Sequence, residues 1–115
     1  MSQDPPCIFC RIVAGKIPSK KVFEDEELLV FHDIHPWAPV HVLVIPKLHI
    51  TTLYDVGQER EALLGRMLVL APKLMRELGV VNGFRTLINI GEDGRQEVQH
   101  LHMHVMGGPR PWLRG

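Results

Sequence analysis

Several features that mark large classes of protein are missing from this chain. It has no net charge, because 13 Lys and Arg balance 13 Asp and Glu with the seven His counted neutral. A broad electrostatic grip on nucleic acid or on an anionic membrane needs an excess of cations, so neither partner is expected. No apolar run is long enough to span a bilayer. The opening Met-Ser-Gln-Asp-Pro-Pro shows no basic segment followed by an apolar one, so no secretory signal is expected and the cytoplasm is the expected compartment. Only two cysteines are present, and there they would stay reduced rather than pair as a disulfide. Internal repeats and low-complexity segments are absent as well.

What remains is an ordinary globular composition, 45% hydrophobic and 23% charged over 115 residues, a length that suits one domain. Residues 1–6 are polar and Pro-rich and read as a flexible arm, leaving 7–115 as the expected single domain. Cys7 to Ala14 reads as a short helix ended by Gly15. Val22–Glu24 and Leu28–His32 read as a hairpin around Asp25-Glu26-Glu27. Val40–Ile45 is the best strand in the chain and is stopped by Pro46. A long amphipathic helix is expected from about Val56 to Leu78. Asp55 would cap it, Gln58 would complete a capping box, and Pro72 inside it should kink it. Phe84–Ile90 is the next strand. Helix, strands, long helix, strands is an α+β order with a mostly antiparallel sheet.

The chemistry concentrates in Gln99-His100-Leu101-His102-Met103-His104-Val105-Met106-Gly107-Gly108. Alternation at period two reads as a strand, which puts His100, His102 and His104 on one face and the apolar residues on the other. A single His in a strand is usually a structural one, but three in strict alternation point to function. On these residues alone, metal binding and nucleophilic or acid/base chemistry both remain open. Cys7-Ile8-Phe9-Cys10 has the spacing at which two thiolates share a zinc ion, although two buried small apolar residues would look the same.

His-Leu-His-Met-His-Val-Met resembles the histidine triad pattern, in which three histidines alternate with apolar residues. The resemblance runs from Cys7 to Trp112. It takes in Phe31-His32-Asp33-Ile34, the stretch Pro39 to Lys47, and Asn89 eleven residues before the triad. It is greatest with the purine nucleoside phosphoramidases of the family. That likeness implies a five-stranded sheet with one short and one long helix, joined with a second copy into a ten-stranded sheet across a homodimer.

For the site, the resemblance implies that His102 is the nucleophile that attacks the α-phosphorus and forms a nucleotidyl-histidine. The second ring nitrogen of His102 would be held by a main-chain carbonyl of the triad strand. His104 would bind the phosphate, His41 would support the triad's hydrogen bonds, and Asn89 would touch the phosphate or the scissile region. Asp33 would accept from the ribose hydroxyls, and Phe9, Ile12, Phe31 and Ile34 would line the slot for a purine base. His32 and His35 read as exposed bystanders. In zinc-containing relatives the positions of His49 and His100 complete a Cys₂His₂ site with Cys7 and Cys10, which would be structural and not required for catalysis.

Two positions before the triad bear on the leaving group. Relatives commonly read Gly-Gly-Gln-Ser or Gly-Gly-Gln-Glu before the triad, and this chain reads Gly94-Arg95-Gln96-Glu97. Arg95 thus replaces a glycine, and Glu97 stands where some members use a serine that helps the leaving amine. Two other functions fit the same residues less fully. One is a nucleotide- or zinc-binding regulatory module. The other is a dinucleotide polyphosphate hydrolase of a sister branch, which carries a Gln after the triad where this chain has Gly107-Gly108.

Overall fold

Side chains alternate along every central strand, and that alternation splits the molecule into two faces. In the computed structural model, which describes residues 7–113, β1 (Lys21–Glu24), β2 (Leu28–His32), β3 (Val40–Pro46), β4 (Phe84–Leu87) and β5 (Met103–Gly107) form one sheet in the order β1-β2-β3-β5-β4. All four pairings are antiparallel. The arm expected over residues 1–6 lies outside the described residues.

On one face, Leu28, Val30, Val42, Val44, Met103 and Val105 pack against the long helix α2 (Glu61–Glu77) through Leu63, Met67, Ala71, Leu74 and Met75. Burying such side chains contributes roughly 1.5–3 kcal/mol each. On the other face, Leu29, Phe31, Leu43 and Ile45 pack under Phe9 and Ile12 of the short helix α1 (Ile8–Val13). His41, on the same strand parity as Leu43 and Ile45, faces α1's side, and so do His102 and His104.

The hairpin turn is held by Asp25, whose Oδ1 accepts from the main-chain N–H groups of Glu27 and Leu28, both at 2.8 Å. Arg66 of α2 pairs with both Asp25 and Glu27, tying that turn to the helix.

Four local expectations are corrected. The long helix begins at Glu61, not near Val56. Two short 3₁₀ turns, Leu53–Asp55 and Gln58–Arg60, precede it. Asp55 is not a cap but the third residue of a capping box whose cap is Thr52: Thr52 Oγ1 accepts from Tyr54 N–H, and Asp55 Oδ2 accepts from Thr52 N–H. The fourth strand stops at Leu87, three residues short of Ile90. His100, Leu101 and His102 lie outside the β5 ladder, which takes in only His104 of the three histidines. Leu101 N–H turns instead to the carbonyl of Ile50, at 2.6 Å. Pro72 sits inside α2, which continues past it to Glu77.

Candidate active site and metal cluster

Main-chain carbonyls orient two of the triad rings directly, and the third is oriented through another histidine. His102 Nδ1 lies 2.7 Å from the carbonyl oxygen of His100, and a carbonyl accepts only, so Nδ1 carries the proton. Neutral His102 therefore presents a bare lone pair on Nε2. His100 Nε2 lies 2.7 Å from the carbonyl of Pro46 and donates to it, which leaves its Nδ1 as an acceptor. The carbonyl expected to hold His102 thus belongs to the triad segment itself.

The third ring is set through His41. The main-chain N–H of Trp37 donates to His41 Nδ1 at 3.0 Å. His41 Nε2 then donates to His104 Nδ1 at 2.9 Å, which leaves the His104 proton on Nε2. His41 and His104 are diagonal neighbours on β3 and β5, where Leu43 pairs with His104 and His41 with Met106. The rings of His102 and His104 lie 5.1 Å apart. A lone pair and an N–H donor therefore stand side by side, an arrangement that can attack an electrophilic phosphorus and hold its oxygens.

Burial favours the uncharged form of these rings. It is the largest cause lowering the pKa of His41, His100 and His102 below the ordinary histidine value. His104 is pushed down to about 4 by burial, with His102 and His41 adding to the effect. The carboxylates of Asp33 and Glu97 act on His102 in the opposite direction. Both therefore lie close enough to sense it, although Glu97 is exposed. Asp33 Oδ1 accepts from the main-chain N–H of His35 at 2.8 Å, and Oδ2 lies 3.5 Å from His41 Nε2.

Phe9 stands against this group edge-on, 5.2 Å from His102 and 5.6 Å from Phe31. Ile12 and Phe31 are buried with it. Ile34 does not join them; it is 85% exposed, because the chain turns outward after β2 into the Pro36–Pro39 loop. Asn89 is half-buried and lies beyond the end of β4. His35 is exposed as expected, whereas His32, at the end of β2, is half-buried.

A second cluster lies beside His100. Donor atoms of Cys7, Cys10, His49 and His100 all lie within 4.8 Å of one another. Cys7 Sγ is 3.3 Å and Cys10 Sγ 3.5 Å from His100 Nδ1, and Cys10 Sγ is 3.1 Å from His49 Nδ1. Ligands of a tetrahedral zinc ion stand about 3.3–3.8 Å apart, given bonds of about 2.0–2.3 Å. The donor set and its spacing fit zinc. The bond from His100 Nε2–H to Pro46 also has the form that fixes a histidine ligand's tautomer. Cys7 begins the set because it caps α1, its Sγ accepting from Cys10 N–H. The Cys10 thiol is pushed up to about 11 by burial and then by Cys7, so a nearby cation is what would favour the thiolate.

Two further residues of the site carried no sequence signal strong enough to single them out. Gln96 is buried. Its Oε1 accepts from Gly91 N–H, and its Nε2 donates to the carbonyls of Thr51 and Val98. It ties the loop before the triad to the segment that follows His49. Trp37 stacks on His104, and only its setting between Pro36 and Pro39 hinted at a fixed aromatic.

Known proteins share this architecture. A family model described as "Scavenger mRNA decapping enzyme C-term binding" matches residues 6–112. Protein HitA of Neisseria gonorrhoeae is 48% identical over 103 residues, covering 90% of this chain and 96% of that protein. The purine nucleoside phosphoramidase of Escherichia coli (strain K12) is 43% identical over 102 residues, covering 88% of this chain and 86% of that one. A crystallised histidine triad protein from Clostridium difficile aligns with a TM-score of 0.88 at 41% identity, over 96% of each chain. A zinc-bound histidine triad family protein from Mycobacterium smegmatis aligns at 0.79 and 36% identity, over 89% of this chain and 74% of that one.

Proposed function

The chain belongs to the histidine triad family, and on that premise we propose that it is a hydrolase of purine nucleoside phosphoramidates, acting through a nucleotidyl-His102 intermediate. One observation carries the reading. The bond from His102 Nδ1 to the carbonyl of His100 leaves Nε2 unprotonated and aimed for attack, next to a His104 whose remaining N–H can bind a phosphate oxygen. The relative named a purine nucleoside phosphoramidase lends the substrate class.

In the first step the Nε2 lone pair of His102 forms a bond to the α-phosphorus and the P–N bond breaks. The amine leaves with that electron pair and takes a proton from water. In the second, water adds to the phosphorus and gives up a proton to the hydroxide left by the first step, the P–N bond to His102 breaks with its electron pair returning to Nε2, and AMP or GMP departs with the ring restored. His104 Nε2–H holds the phosphoryl charge through both steps, where positioning and charge stabilisation supply most of the acceleration. Asp33 accepts from the ribose hydroxyls and Asn89 reaches the phosphate. The base lies against the apolar group Phe9, Ile12 and Phe31, with Ile34 at its exposed margin. Glu97, close enough to act on His102, faces the leaving amine.

Cys7, Cys10, His49 and His100 would hold a structural Zn²⁺, which supplies folding energy and fixes His100. A second copy of the chain would add to the sheet at the open edge of β4, forming the ten-stranded homodimer. The test is AMP release from adenosine 5′-phosphoramidate by wild type and by His102→Ala. Release by the wild type alone supports the reading, and equal release by both refutes the nucleophile.

A further inference from the structure

Trp37 belongs to none of the motifs used above, yet it touches the catalytic histidines in two ways. Its main-chain N–H donates to His41 Nδ1 at 3.0 Å, and that bond decides where the single proton of neutral His41 resides. With Nδ1 occupied as an acceptor, the proton sits on Nε2 and is given to His104 Nδ1 at 2.9 Å. His104 must then carry its own proton on Nε2. The direction of the whole relay is therefore set by one peptide N–H outside the triad.

The second contact is made by the indole. It lies nearly parallel to the His104 ring, 14° between planes and 5.6 Å between centroids, in an offset stack. It also meets His41 at 62° and 5.6 Å. The loop that carries Trp37 is itself held. Leu113 N–H donates to the Trp37 carbonyl at 2.7 Å, and Pro36 and Pro39 restrict the backbone on either side. His41 and His104 are 2% and 8% exposed, so water has little access to either ring.

We propose that Trp37 is a positioning residue for the hydrolysis, its N–H fixing the tautomer of the His41–His104 pair and its indole fixing the plane of His104. This rests on the reading that His104 Nε2–H binds the phosphoryl oxygens. The two contributions are separable. Any residue but proline keeps the N–H, and only a flat ring keeps the stack.

The test compares Trp37→Phe, Trp37→Ala and Trp37→Pro by turnover of adenosine 5′-phosphoramidate and by imidazole ¹⁵N–¹H spectra of the AMP complexes. Trp37→Phe should keep kcat within about threefold. Trp37→Ala should keep both tautomers and lower kcat about tenfold, with KM nearly unchanged. Trp37→Pro should lose the fixed His41 tautomer and lower kcat about 100-fold, as expected when a reacting group is misplaced. Wild-type kcat in Trp37→Ala, or unaltered His41 and His104 spectra in Trp37→Pro, would overturn the proposal. Should Trp37→Pro fail to fold, the ¹⁵N–¹⁵N coupling across the Trp37 N–H to His41 Nδ1 bond decides the same point in wild type, its absence counting against the proposal. A wild type that releases no AMP defeats the functional reading, while the spectra still decide the role of Trp37.

Discussion

His102 and His100 are joined by a bond from ring to main chain, Nδ1 to carbonyl oxygen at 2.7 Å, and through it one residue serves both clusters. The carbonyl of His100 orients the candidate nucleophile, while its ring Nδ1 faces Cys7 and Cys10. Whatever holds the His100 ring therefore also holds the peptide on which His102 depends.

His102→Ala is expected to lower kcat by at least about 10³-fold, since removal of a nucleophile leaves only the contribution of binding and charge stabilisation. The circular dichroism spectrum should be unchanged and AMP should still bind, measured by calorimetry. Loss of AMP binding together with turnover would point to a binding role for the ring instead.

Acid should destabilise the fold over a defined window. The ordinary histidine value of 6.5 applies to the unfolded chain, while burial lowers His41 and takes His104 down to about 4. Between those values the unfolded chain binds more protons than the folded one. Stability then falls as pH falls through that range, and these rings contribute fully above pH 6.5. Urea midpoints measured from pH 7.5 to 4 should decline most below 6.5, and His104→Gln should flatten the decline.

Zinc-replete expression should give about one zinc per chain by elemental analysis, and Cys10→Ser should lose it. If the metal contributes a few kcal/mol, the Tm of that variant falls by roughly 10 °C. Full zinc content in Cys10→Ser would exclude the cluster as the binding site.

Arg95 takes up φ +62°, in the left-handed region that suits glycine. Arg95→Gly should therefore leave stability unchanged or raise it by up to ~1 kcal/mol. Its neighbour behaves in the opposite way. A Cβ on Gly94 would stand 2.2 Å from the carbonyl oxygen of Ile90, so Gly94→Ala should cost about 2 kcal/mol or more in urea denaturation.

Gln96→Ala should cost about 2–3 kcal/mol, because it strips partners from Gly91 N–H and from the carbonyls of Thr51 and Val98. Gln96→Glu should recover little. A carboxylate can accept from Gly91 but cannot donate to the two carbonyls.

Most of the fold could be read from the chain because its signals are local. Leu28–His32 matches its expected bounds, since an acidic turn and an apolar run are adjacent in sequence. The start of α2 is not legible in the chain because Asp55, on sequence alone, suits either a cap or the third residue of a Thr52 box. Only the backbone of Val56 and Gly57, both extended, excludes a helix there. Ile34 followed Asp33 closely in sequence but stands in solvent, since two neighbours at a strand end need not share a face.

The sequence by itself determined the alternation that places His102 and His104 on the same side of their segment, because side-chain parity along an extended chain is covalent geometry, whereas the register of β3 against β5 brought His41 to that side. The sequence also determined the thiol pair, because one turn of helix brings Cys7 and Cys10 together. Tertiary structure alone decided which atoms meet. His100 joins Cys7 across 93 positions of sequence and His41 joins His104 across 63. The proton positions follow from carbonyls and an N–H supplied by Pro46, His100 and Trp37. Main-chain carbonyls are the same in every residue and N–H groups in every residue but proline, so a sequence cannot announce which of them will orient a ring. Only packing brings the two within hydrogen-bonding distance.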